Sequence, residues 1–151
     1  WLMVNGGYYD GLRNRGVDFK TRNQLELESW RSMAKKVNWR YPKIGNFQLN
    51  TVLDSLKAMQ LPLDNTIGLF RPSYDIVNPN LVYEKVEKCR TLEYLQKAEP
   101  ERIIPMCQEL EKPIIEAYML NPKLKLTPTK LPPHKDPNET PCCIWEIKLE
   151  E

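Results

Sequence analysis

The placement of proline constrains this chain more than any other feature. The 151 residues include thirteen prolines against six glycines. Proline lacks a backbone N–H and fixes φ near −65°, so it ends helices and keeps out of central strands. Six prolines, at positions 122, 128, 132, 133, 137 and 141, crowd the last thirty residues. That stretch cannot be helical and is predicted to be extended or polyproline-like. From Cys142 to Leu149 apolar and polar residues alternate. Cys143, Trp145, Ile147 and Leu149 fall on one side and Ile144, Glu146 and Lys148 on the other. The pattern suits one short strand at a sheet edge.

Between the earlier prolines the apolar spacing predicts helices. One starts near Arg22, with Thr21 as cap and Gln24 three residues on, and runs along Leu27, Trp30, Ala34 and Val37. It ends before Tyr41-Pro42, because the residue before proline avoids the α region. A second spans about Phe47–Met59 behind Asn46, with Leu49, Val52, Leu53, Leu56 and Met59 as its stripe. A connection with apolar anchors Leu63, Ile67, Leu69 and Phe70 follows. A third helix opens on Asn78-Pro79 and carries Val82, Val86, Cys89 and Leu92, with Glu84–Lys88 and Glu93–Lys97 as i,i+4 pairs. Residues 100–120 keep the rhythm Ile103, Cys107, Leu110, Ile114, Tyr118, broken by Pro105 and Pro113 into two short helices or one kinked helix. Residues 1–21, punctuated by Gly6, Gly7, Gly11 and Gly16, read as an irregular arm.

The expected fold is therefore mostly α. A small irregular body of four to five helices, residues 22–120, lies between a basic, aromatic arm, 1–21, and a Pro-rich extended tail, 121–151, with room for one short edge strand. Apolar residues make up 41% of the chain, enough for a modest core. No apolar run approaches the length that crosses a bilayer.

Catalytic patterns are sparse. The single histidine, His134, stands in the proline-rich tail, and no C-x-x-C or His-x-x-x-His pair suggests a metal. The cysteines are Cys89, Cys107, Cys142 and Cys143. The first two read as small core hydrophobes, and the adjacent pair is strained for a disulfide. Their usage fits a reducing compartment, against which the sequon Asn138-Glu139-Thr140 weighs little. Gly11–Gly16 has the gap of a phosphate loop, but Val17-Asp18 stands where that motif needs Lys and Ser or Thr. At most an anion nest remains. No enzyme activity, cofactor, metal or small-molecule substrate is expected.

Charge is uneven although the net is only +2. Residues 1–43 hold nine Lys/Arg and four acids, a local +5, while residues 76–151 are at −2. Tyr8, Tyr9, Arg13, Arg15, Lys20, Arg22, Arg40 and Lys43 are candidate RNA contacts, together with Phe19, Trp39 and Tyr41, since cations meet phosphates and rings stack on bases. In the tail, Leu124, Leu126, Leu131, Ile144, Trp145 and Ile147, with Leu149, are candidate docking residues on a neighbouring protein, because apolar groups on an extended chain need a surface to cover. The chain begins with Trp, which suits either a processed terminus or a piece of a longer chain, and is compatible with an intracellular, mitochondrial location. These features lead to the expectation of a structural or accessory subunit of a ribonucleoprotein such as an organellar ribosome. The alternative is an accessory subunit of a protein-only respiratory or membrane-associated complex. A small enzyme or anion-binding domain comes after both.

Overall fold

Two alternating segments, residues 81–89 and 143–149, lie side by side at the centre of the molecule. The computed structural model describes residues 2–38, 40–60 and 69–150; Trp1, Trp39, Leu63, Ile67 and the Val37 side chain lie outside it. Four strands form an antiparallel sheet: β1 (Phe70–Asn78), β2 (Leu81–Cys89), β3 (Leu124–Lys130) and β4 (Cys143–Leu149), in the order β1-β2-β4-β3. Six α-helices accompany it among the described residues: α1 (Leu2–Asn14), α2 (Phe19–Asn38), α3 (Tyr41–Gly45), α4 (Val52–Met59), α5 (Arg90–Ala98) and α6 (Glu111–Tyr118). A 3-10 turn (Pro100–Arg102) and a π-helical stretch (Pro105–Leu110) lead from α5 to α6. The fold is thus mixed α/β, which corrects the mostly α expectation.

The largest correction falls on residues 78–97. Val82 and Val86 are four apart, a spacing that a strand shares with a helix, because four is a multiple of the strand period of two. In the fold Val82, Glu84 and Val86 share the inner face of β2, and Tyr83, Lys85 and Glu87 share the outer one. Pro79-Asn80 is the turn of the β1–β2 hairpin, with the Asn78 side chain accepting from the Asn80 N–H at 2.8 Å. The anticipated helix survives only as α5, where the Cys89 sulfur accepts from the Leu92 N–H at 3.4 Å as the cap. Lys88 pairs with Glu93 instead of Glu84.

The two ends also differ from expectation. Residues 2–14 are helical despite their glycines, so the irregular arm is corrected. Each glycine costs roughly 1 kcal/mol against alanine, and the packing of Tyr9, 3% exposed, against Arg102 and Arg22 offsets it. Gly16, at φ 74°, makes the reversal into α2. The cap of α2 is Asp18, which accepts from the Thr21 N–H at 3.0 Å, so the helix begins three residues before Arg22. In the tail, β3 and β4 pair along their length, and β4 is an interior strand between β2 and β3, not an edge. The edge falls to β3, where Pro128 is tolerated.

α4 is shorter than expected because Thr51, not Asn46, caps it. Thr51 and Asp54 form a reciprocal capping box. The segment 100–118 follows the anticipated break, with Pro105 first in the π-helical stretch and Pro113 in the first turn of α6.

One sheet face is apolar and covered. Val82, Leu126, Trp145 and Ile147 pack there with Val52, Leu56 and Met119. The opposite face is polar, with Tyr83 donating to Glu146 at 2.8 Å and Ser73 to Glu87 at 2.7 Å. A second apolar cluster joins Leu27 of α2 to Leu95, Met106, Leu110 and Ile114. No described helix is long and apolar enough to cross a membrane.

Candidate functional site

Between the covered sheet face and the helices lies a cavity of about 110 Å³. β2 contributes Glu84, Val86 and Cys89, β4 contributes Cys143 and Trp145, and Cys142 precedes them. The π-helical stretch brings Met106 and Cys107, α6 brings Glu111 and Ile115, and Leu131 and Pro132 close one side. Backbone geometry explains three of these placements. The period of two turns Glu84 inward with Val82 and Val86. The wider π-helical turn, a feature often found at functional sites, presents Met106 and Cys107 on the side facing the sheet.

All four cysteines of the chain line this space, and all are free thiols. Burial pushes the Cys89 thiol up to about 12 and raises Cys107 as well, with the negative charge of Glu111 adding to the effect on Cys107. Cys143 is held up by its hydrogen bond with Cys142 and by burial. These thiols stay protonated near neutral pH, which makes them poor nucleophiles. Among the described residues no group of three or more His, Cys, Asp or Glu could hold a metal ion.

The two carboxyls set the electrostatics. Burial, then the charges of Glu84 and Glu26, push the Glu111 carboxyl up to about 7. Burial also raises Glu84, against a weak 3.4 Å hydrogen bond from the Tyr74 hydroxyl. No Lys, Arg or His lines the cavity among the described residues. The buried cation Arg102 is taken: it bonds Glu26 and Glu99, each at 2.8 Å, and stacks 3.5 Å over the Tyr9 ring.

The candidate RNA contacts gather on α1 and the start of α2 without forming one ring-and-cation surface. Tyr8, 47% exposed, Arg15 and Lys20 face solvent. Arg13 is half-exposed and pairs with Asp10 at 3.2 Å. Tyr9 is buried, and Arg22 lies 4.7 Å over its ring and 5.6 Å over that of Phe19. Arg40 and Lys43 are exposed around α3, apart from that group in sequence, with Tyr41 half-buried between them. The glycine gap 11–16 lies at the end of α1, where Arg15 donates to the Gly11 carbonyl at 3.1 Å. His134 is fixed by its Nε2, which donates to the Cys142 carbonyl at 2.6 Å.

The candidate docking residues are covered by this chain. Leu124, Leu126, Trp145 and Ile147 are buried in the sheet core, and Leu131 and Leu149 pack against it. Ile144 is half-buried on the other face of β4. From the sequence Glu84 reads only as a helical partner of Lys88, and nothing there marks Glu111. The one local signal for Glu84 is its place between two valines on one strand face, which is invisible while the segment reads as helix. Comparison with protein-family models, curated proteins and solved structures finds no match.

Proposed function

We propose that this chain is a binding module for a small, mostly apolar molecule held between the sheet and its helices. One observation carries the reading: an apolar cavity of about 110 Å³ into which two carboxyls converge without a basic partner among its described lining. Binding cavities are typically apolar spaces with a few convergent polar groups. This volume suits a ligand of about six heavy atoms or fewer, since a cavity of roughly 150 Å³ takes benzene. A small ligand is not expected from the sequence alone, because the lining residues come from separate parts of the chain.

The test is NMR of the full-length protein with neutral molecules of that size, read at the methyls of Met106 and Ile115. Saturable shifts are expected, and Cys107→Phe, which fills the space, should remove them. Silence of both methyls toward every such molecule overturns the reading.

A second reading keeps the accessory-subunit role in a ribonucleoprotein, supported by the exposure of Tyr8, Arg15 and Lys20 on the basic amino-terminal segment. Retention on structured RNA should then fall steeply with salt. It should also drop when Arg13, Arg15 and Lys20 are changed together to Ala. Unchanged retention in that triple variant removes this reading.

A further inference from the structure

The inference rests on the ligand-binding reading and concerns the chemistry of the ligand. An apolar cavity that takes only hydrocarbon has no use for carboxyls, because a buried carboxylate without a partner is costly. Here two carboxyls come from different elements, Glu84 from β2 and Glu111 from α6, into the same 110 Å³. Among the described residues nothing hydrogen-bonds the Glu111 carboxyl, and Glu84 has only the long contact to Tyr74 at 3.4 Å. Among the described residues, the charged or titratable groups around Glu111 are Glu84 on β2, Glu26 on α2 and the thiols of Cys89, Cys107 and Cys143. None is a cation, and the guanidinium of Arg102 is already shared by Glu26 and Glu99.

We propose that the cavity takes a small organic cation, a short alkylammonium whose N–H groups are accepted by Glu111 and Glu84 and whose carbon skeleton lies against Val86, Met106, Ile115 and Trp145. A protonated primary amine supplies three donors and the missing positive charge in one atom. Charge-assisted hydrogen bonds of this kind are the strong ones. The protonated thiols of Cys89, Cys107 and Cys143 complete a lining that accepts a methylene chain without competing for the charge. The neutral form of Glu111 prevails below its raised titration point near 7. Ammonium binding there must release a proton, so affinity falls with acidification.

The experiment titrates the full-length protein with n-butylammonium and, separately, with 1-butanol, following the Met106 and Ile115 methyls. The ammonium should bind about tenfold more tightly than the alcohol at pH 8. Its affinity should weaken up to about tenfold per pH unit below 7, and Glu111→Gln should abolish the preference while the alcohol still binds. Equal binding of the two probes overturns the cation and leaves the ligand-binding reading standing. Binding of neither overturns both. If Glu111→Gln is poorly folded, the pH dependence of the ammonium-to-alcohol ratio in the unaltered protein decides: a ratio flat from pH 5 to 8 overturns the proposal.

Discussion

The guanidinium of Arg102 donates to the Glu26 carboxylate at 2.8 Å across 76 residues of sequence. It joins the turn after α5 to the middle of α2. Its other arm meets Glu99 at 2.8 Å, and its flat face covers Tyr9 of α1. Three helices are therefore pinned by one side chain. Burial pushes the Glu26 carboxyl up, and Arg102 is the main group pulling it back.

Arg102→Ala leaves the buried Glu99 and the mostly buried Glu26 without the cation they share. Removing one partner of such a network costs about 3–5 kcal/mol, and chemical denaturation should show a loss of that order. Arg102→Lys should recover only part, because a single ammonium cannot reproduce the two-armed geometry. Wild-type stability in the lysine variant contradicts the pinning role.

Glu111 makes stability depend on pH. Its folded titration point, about 7, lies above the ordinary 4.5. A raised carboxyl favours the folded state while both states are protonated, at or below about 4.5. Stability is lost as pH rises from there through 7, by roughly 3 kcal/mol at most. In Glu111→Gln that decline should flatten, and the variant should be the more stable protein at pH 8. Parallel pH profiles for the two proteins contradict the assignment.

The tail is structural in this fold. Trp145 is 1% exposed at the centre of the sheet core. Trp145→Ala should cost about 3–5 kcal/mol. Deleting residues 122–150 removes two of the four strands and exposes Val82 and Val86. The truncated protein should lose cooperative unfolding. A cooperative transition in that truncation would mean that the helices fold without β3 and β4.

The thiols of Cys89 and Cys107 should be slow. With Cys89 pushed up to about 12, its alkylation in the native protein at pH 8 should trail a free thiol by roughly a thousandfold. Cys107, raised likewise, should behave the same way. Mass spectrometry of a timed alkylation reads both sites, and denaturant should bring all four cysteines to the ordinary rate. Fast labelling of Cys89 or Cys107 in native conditions would place them outside the cavity.

By itself the sequence determined what neighbours along the chain can decide. α2 ends ahead of Tyr41-Pro42, the stripe Val52-Leu53-Leu56-Met59 makes α4, and the alternation from Cys143 to Leu149 makes β4. Tertiary structure decided the rest. Val82 and Val86 suit a helix as well as a strand, and only pairing with β1 and β4 selects the strand. Glycines that discourage a helix in isolation are overruled in α1 by the contacts of Tyr9 with Arg22 and Arg102. Leu126, Trp145 and Ile147, which in an extended tail ask for a foreign surface, find it in Val52 and Leu56 of the same chain. The cavity has no local signature, because Glu84, Glu111 and the four thiols meet only when the helices close over the sheet. Burial then alters their proton affinities, a property no stretch of neighbouring residues carries.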